Sequence, residues 1–329
     1  MINLATVGTS TITEKFVSAC RLTGRYEFHT AYSRSLENGK KFAKKQGFKH
    51  FSDDLIAVAQ NPEIDTVYIA TPNVFHYEQS KLFLKNGKNV ICEKPITTDC
   101  KKYDGLLALA NEKELIYAEA IMPRHTAGRE ILLDALNRIG KISQVRLDFG
   151  QLSSRYEKFK NGEKVNIFDM SLAAGTLMDL GVYCVYAAVD LLGTPNNISA
   201  CAAFSDNGAD LSGGAVFSYK DFTAVLSYSK IGQSAIGSEI VGDSGAIKIG
   251  SISQYADISL VKNGRETLLL GTPERAEVMQ GEAEKFADYI ENRDAFLGDY
   301  KSVCELTHNV HTCMDLIKQS AKIKYPIKE

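Results

Sequence analysis

Short apolar runs, each ending in a turn and followed by a helical pattern, recur through the first 120 residues. That alternation restricts the fold more than any other property of the chain. Residues 2–7 form an apolar run ending in Gly8, and a helical pattern follows from about Glu14 to Leu22. Residues 28–33 read as a second strand, and a Lys-rich helix over 37–46 stops at Gly47. Asp53-Asp54 then caps a short helix that runs through Ala59. Residues 66–70 read as the third strand. Its Val67, Tyr68 and Ile69 are continuous rather than alternating, the pattern of a strand buried on both faces. A helix over 76–86, a strand over 89–92, a helix over 99–111 and a strand over 116–118 complete the run. Repeated strand–helix units fold as a right-handed, mostly parallel, doubly wound sheet, so an N-terminal Rossmann α/β domain is expected over residues 1–120.

The pattern changes near residue 120. Residues 144–149 alternate polar and apolar, as in a strand with one wet face. A helix over 175–192 is stopped by Gly193 and Pro195. Three hairpins follow, with turns at Lys220-Asp221, at Gly242-Asp243-Ser244-Gly245 and at Asn263-Gly264. Two amphipathic helices close the chain over 277–292 and 302–318. Residues 121–329 are therefore expected to form an α+β domain with a mainly antiparallel sheet. The length of 329 residues suits two such domains. A net charge of −2 without a Lys/Arg block argues against nucleic acid or an anionic membrane as partner. No apolar run was found to approach the roughly 18 residues of a spanning helix, and the start reads as a strand rather than a signal peptide. The seven cysteines are scattered and form no C-x-x-C pair, which disfavours a disulfide framework or zinc site and fits a reducing cytoplasm. His308 and His311 read as a solvated helix face, and no metal site is expected.

Gly8-Thr9-Ser10-Thr11-Ile12-Thr13 stands where a G-x-G-x-x-G turn belongs, after a strand and before a helix. Only the first glycine is present. Ser10 is small enough to let a pyrophosphate approach, whereas Thr13 makes the closest helix–strand packing harder. The second strand ends in Ser33-Arg34-Ser35, where an NAD site would carry an acid for the ribose 2′-hydroxyl. Hydroxyls and a guanidinium suit a 2′-phosphate instead, so NADP is expected, with NAD as second choice. Thr71, Pro72 and Asn73 follow the third strand on the same carboxyl edge, and His76 packs beneath them or starts the next helix.

Together these stretches resemble one family. The degenerate glycine turn, Ala70-Thr71-Pro72-Asn73 with His76, Glu93-Lys94-Pro95, Glu119-Ala120 and Asp179-Leu180-Gly181-Val182-Tyr183 are similar, in order and spacing, to the glucose–fructose oxidoreductase / inositol dehydrogenase / rhizopine-catabolism family. The likeness extends to the turn at 239–246 and to Tyr325-Pro326. Ser33-Arg34 and Tyr183, where many members carry His, resemble the branch of dimeric dihydrodiol dehydrogenases and NADP-dependent xylose-type dehydrogenases. The resemblance implies an open-faced second sheet that often makes a dimer contact. It implies Lys94 as a catalytic residue, Asp179 and Tyr183 as the other polar members of the site, and Glu93 beside the cofactor. Arg124 and the stretch holding Asn166 and Phe168 depart from the branch where substrate is expected, and are candidate substrate residues.

Oxidising an alcohol removes a proton from oxygen and a hydride from carbon. A lysine in a partly dry cleft beside a cationic nicotinamide has a lowered pKa, and a tyrosine near an ammonium ionises more easily. Tyr183 is taken as the acid/base and Lys94 as the polarising group, with the swapped assignment open because such a pair titrates together. Asp179, four residues before Tyr183, shares its helix face. The expected function is hydride transfer between NADP and a small sugar, polyol or related hydroxy/carbonyl substrate. The alternative is a catalytically silent nucleotide-sensing or partner-binding protein of the same fold.

Overall fold

The computed structural model describes residues 1–326. It divides into two compact units: Met1–Ile121 with Glu274–Glu305, and Met122–Pro273 with the chain from Leu306 onward.

The first unit alternates β1 (Ile2–Val7), α1 (Thr11–Thr23), β2 (Tyr26–Tyr32), α2 (Leu36–Gln46), β3 (His50–Ser52), α3 (Leu55–Gln60), β4 (Thr66–Ile69), α4 (His76–Lys85), β5 (Asn89–Glu93), α5 (Cys100–Glu112) and β6 (Tyr117–Ala120). The strands form a sheet in the order β3-β2-β1-β4-β5-β6, and every pairing is parallel. Each residue of β4 is buried, as its unbroken apolar run requires of a central strand. Asp54 caps α3 by accepting from the Ile56 and Ala57 N–H groups, and Asp99 caps α5 through the Lys102 N–H. β3 was not expected: three residues at a sheet edge are too few to show a period. The run at Thr66 is accordingly the fourth strand.

The second unit contains α6 (Ala127–Leu136), β7 (Ile142–Gly150), α7 (Tyr156–Lys160), α8 (Val182–Leu192), β8 (Asn197–Phe204), β9 (Asp210–Ser218), β10 (Thr223–Ser229), β11 (Ser238–Gly242), β12 (Gly245–Ser251), β13 (Ala256–Lys262) and β14 (Arg265–Leu270). Its eight strands run in the order β14-β13-β12-β11-β7-β10-β9-β8. The neighbours β7 and β10 are parallel and the remaining pairs antiparallel, so all three expected hairpins are present in a mainly antiparallel sheet. In β10, Ala224, Leu226 and Tyr228 are buried while Thr223, Val225 and Ser227 are exposed, so one face packs inward and the other stays open. β8 and α6 were not read from sequence. The small residues of Ser199-Ala200-Cys201-Ala202-Ala203 carry little strand signal.

α9 (Arg275–Glu291) and α10 (Arg293–Ala321) end the chain. α9 returns to the first unit and lies on α1, with the Phe16 and Phe286 rings 6.4 Å apart. The Tyr26 hydroxyl donates to the Ala283 carbonyl at 2.6 Å, and Arg25 pairs with Asp288 and Glu291 at 2.7 Å each. Within the same unit the Tyr103 hydroxyl donates to the Cys304 carbonyl at 3.2 Å. His311 corrects the solvated-face reading, because it is buried, while His308 is half-buried. A second correction concerns apolar length. The segment Met170–Leu192 is long and apolar enough to cross a membrane by composition, but its most apolar stretch is 83% buried, in the core of the second unit. All seven cysteines are free thiols.

Candidate active site

The carboxyl edge of the parallel sheet is built around Gly8. Its φ is +115°, and a Cβ there would stand 2.6 Å from the Ala70 carbonyl oxygen. Only glycine fits where the ends of β1 and β4 come this close. The Gly8 N–H donates to the Tyr32 carbonyl at 3.2 Å, which ties in β2 as well. α1 opens immediately beyond. The hydroxyl of its N-cap, Ser10, does not cap the helix but lies 3.2 Å from the Thr13 hydroxyl. Thr13 is fully buried, filling the place of the third glycine, while Ser10 and Thr11 are exposed and Thr9 and Ile12 half-buried. A glycine cradle, a small exposed residue and the first-turn N–H groups of a 13-residue helix suit a pyrophosphate.

At the end of β2, the Ser33 hydroxyl accepts from the Ser35 N–H at 3.3 Å, and Ser35 caps α2 through the Asn38 N–H at 3.4 Å. Arg34 is exposed, with its guanidinium 5.7 Å from the centre of the Phe75 ring. A cationic side chain beside an exposed aromatic face suits an anionic nucleotide group.

The loop that carries Lys94 hangs from three buried side chains. Glu93 receives the Tyr68 hydroxyl at 2.5 Å on one oxygen and the Lys94 N–H at 3.2 Å on the other. Burial raises the Glu93 pKa, against the opposing pull of the Tyr68 bond and the Lys94 charge. Glu119, on β6, accepts the Ile96 N–H at 2.8 Å. His76 lies fully buried at the start of α4, with Nδ1 2.9 Å from the Pro95 carbonyl and Nε2 2.8 Å from the Thr71 carbonyl. It thus joins the ends of β4 and β5. A carbonyl only accepts, so both bonds form together only when both ring nitrogens carry protons. Burial lowers the His76 pKa, and the two carbonyls oppose it. Between these ties Lys94 is half-buried, and the Lys94–Pro95 peptide is cis. The Thr71 hydroxyl donates to Gln79 at 2.6 Å, and Pro72 and Asn73 are half-buried beside it.

In the second unit Asp179 and Tyr183 do not share a continuous α-helix. Residues Leu177–Gly181 form a π-helical turn, and α8 starts at Val182. Such turns are rare and concentrate at functional sites. Asp210 anchors the start of this one: the carboxylate accepts the Leu177 N–H at 2.6 Å while the Thr176 hydroxyl donates to the Asp210 carbonyl at 2.9 Å. Asp210 presses so close that a Cβ on Gly175, at φ +153°, would fall 1.9 Å from Oδ1. Burial pushes the Asp210 pKa up to about 6, against these hydrogen bonds and the Lys230 charge. The Asp179 side chain is 44% exposed and forms an ion pair with Lys230, whose own side chain is 5% exposed. Tyr183 is buried, with its ring edge-on to Phe149 at 5.6 Å.

The substrate candidates separate. Asn166 is exposed and Arg124 half-buried, each in a short 3-10 turn. Phe168 is fully buried, 4.6 Å from the Phe159 ring, at the base of a cavity of about 650 Å³ that also touches Lys164 and Asn207. Lys230 and Asp210 were missed from sequence. Lys230 follows a strand like many surface lysines, and only the burial of its side chain distinguishes it. Tyr68 gave one available signal, as a phenol set between Val67 and Ile69 at the centre of a buried strand.

The strand order β3-β2-β1-β4-β5-β6, with a glycine turn and helix N-terminus at its carboxyl edge, defines a dinucleotide-binding fold. Residues 2–120 match the model of an oxidoreductase family with an NAD-binding Rossmann fold, and residues 133–248 match the GFO/IDH/MocA C-terminal domain. The uncharacterized oxidoreductase YgjR of Escherichia coli is 36% identical over 291 residues, covering 88% of this chain and 89% of YgjR. The scyllo-inositol 2-dehydrogenase (NADP(+)) IolU of Bacillus subtilis is 33% identical over 328 residues, 99% of each chain. Among solved structures, the 3-ketoreductase KijD10 of Actinomadura kijaniata, in complex with NADP and TDP-benzene, superimposes with a TM-score of 0.85. It covers 97% of this chain and 98% of KijD10 at 20% identity, a likeness of fold. The chain belongs to the GFO/IDH/MocA oxidoreductase family, as its motifs led us to expect. It is a nicotinamide-dependent oxidoreductase.

Proposed function

We propose that the protein transfers a hydride between NADP and a hydroxyl-bearing carbon of a sugar, polyol or related hydroxy/carbonyl compound. The observation that carries this reading is the Lys94 loop, fixed by Glu93, Glu119 and His76 at the carboxyl edge of a dinucleotide-binding sheet. An exposed lysine of no function would not need three buried polar side chains to hold its backbone. Bound nicotinamide accepts or donates the hydride. Gly8, Thr9, Ser10, Thr11 and Ile12 hold the pyrophosphate, and Ser33 and Arg34 the 2′-phosphate. Thr71, Pro72 and Asn73 shape the neighbouring rim, braced by His76. Lys94 polarises the reacting oxygen, Tyr183 exchanges its proton and Asp179 binds an adjacent hydroxyl. Arg124, Asn166 and Phe168 are the proposed substrate-side residues. The full-length likeness to an NADP-dependent inositol dehydrogenase supports the polyol class.

Residues 1–120 are the proposed cofactor-binding stretch and 121–329 the substrate and dimerisation stretch. The proposed assembly is a homodimer through the open face of the second sheet. There Val216 and Val225 lie side by side in register, flanked by Ser199 on one side and the Arg146–Glu239 pair on the other. The proposed compartment is the cytoplasm.

The test is turnover of NADP and NADPH with a panel of inositols, aldoses, vicinal diols and their ketones. We expect NADP-linked turnover with at least one, and a fall in kcat of about 10²–10⁴-fold in Lys94→Ala, the range for lost acid–base help. Tight nucleotide binding without turnover by any of the panel would leave the silent-sensor reading in its place.

A further inference from the structure

We propose that Lys230 is a positioning residue that fixes the Asp179 carboxylate, and that its hold is tuned by the buried Asp210, which accepts the first N–H of the turn bearing Asp179. The inference rests on the proposed site role of Asp179. Lys230 is an unusual lysine. Its side chain is 5% exposed, pairs with Asp179 and lies 5.8 Å from the centre of the buried Phe168 ring. Its backbone is pinned from both sides. The Lys230 N–H donates to the Leu211 carbonyl at 3.1 Å, and the Lys230 carbonyl accepts from the Ser153 N–H at 2.9 Å. With its backbone fixed and its side chain buried, the ammonium has little room to move, and Asp179 meets it where it lies. Burying the ammonium is unfavourable unless an anion faces it, and Asp179 supplies that anion while leaving much of its own side chain exposed.

Asp210 acts on the same turn from within. One oxygen takes the N–H of Leu177, the first residue of the π-turn that bears Asp179, and Oδ1 has no hydrogen-bond partner among the described residues. Among the described residues the buried hydroxyls of Tyr228 and Tyr325 also have no hydrogen-bond partner. Both tyrosines feel the Asp210 charge, and Cys184 and Cys201 face Tyr228 in turn. Lys230 is the cation among the charges acting on Asp210. The charges of Asp210 and Lys230 act on each other, so protonation of Asp210, which burial brings to about pH 6, removes one negative charge from the field that Lys230 feels and leaves Asp179 as its ion-pair partner.

The experiment is steady-state kinetics on wild type, Lys230→Met, Lys230→Arg and Asp210→Asn from pH 5 to 8, with NADPH affinity and thermal midpoint measured alongside. Lys230→Met is expected to raise the substrate KM at least tenfold while NADPH affinity stays within twofold. Lys230→Arg is expected to recover most of the loss. Wild-type KM should change across pH 6, and Asp210→Asn should abolish that change. The inference is overturned if folded Lys230→Met keeps the wild-type KM and kcat, if the Arg variant is no better than the Met variant, or if wild type and Asp210→Asn share one KM–pH profile. Should Lys230→Met fail to fold, the profile comparison alone decides. A wild type without turnover removes the proposed function and this inference together, whereas an active wild type with indifferent variants removes only the inference.

Discussion

Arg34 is the residue whose role depends most on charge. It is exposed, leans on the Phe75 ring, and stands where an NAD-specific site of this fold would place an acid. Arg34→Asp should therefore weaken NADPH binding by about tenfold or more, roughly 1.4 kcal/mol, and leave NADH unchanged or improved. Fluorescence titration with both nucleotides checks this, and equal losses for the two would remove the 2′-phosphate role. Residues of this kind were legible in the sequence because their chemistry follows from place: Gly8 after a strand, Arg34 at the end of the next, Lys94 at the end of another. Lys230 and Asp210 were not legible. Their importance comes from burial and from partners far away in sequence, Asp179 for one and the Leu177 N–H for the other. No local pattern encodes such pairings.

The element that departs most from its sequence pattern is the helix bearing Asp179 and Tyr183. Its apolar composition announces a buried helix, but the π-turn at Leu177–Gly181 and its anchor, Asp210 arriving from β9, lie outside what helical periodicity contains. Asp210 has a folded pKa of about 6 against an ordinary 3.8, so the fold favours its protonated form. Its contribution to stability is therefore fully present below about pH 4 and is lost as pH rises through 6. About two pKa units correspond to ~3 kcal/mol at most. Asp210→Asn should accordingly show a flatter dependence of unfolding free energy on pH between 4 and 7 than wild type, measured by urea denaturation. Identical dependences would mean that Asp210 is not the titrating group. The strands were legible wherever they were long or bounded by a strong turn, as at Asn263-Gly264. Short edge β3 lacked both signals, and β8, although eight residues long, was hidden by its run of small residues.

On the scale of the whole molecule, the open face of the second sheet bears on assembly. Its central exposed residues, Val216 and Val225, are directly opposite in register, and an apolar centre beside charged neighbours suits association between copies. Val225→Asp should place like charges against each other across such a contact and convert a dimer to monomer in sedimentation velocity. An unchanged sedimentation coefficient would move the interface elsewhere. The fold class of both halves was legible because strand–helix alternation and hairpin turns are local signals. The return of α9 to the first unit was not, because an amphipathic helix does not state which surface it will cover. That return has a consequence for how the protein can be dissected. The nucleotide-binding module is encoded in two stretches of the gene. A product ending at residue 121 would leave Phe16 without Phe286 and Tyr26 without its Ala283 acceptor. Such a product is expected to aggregate on expression, whereas one rejoined by a linker to 274–305 should stay in solution. Because the second unit is likewise encoded in two stretches, 122–273 and the chain from Leu306 onward, neither one fusion nor one insertion would exchange it whole.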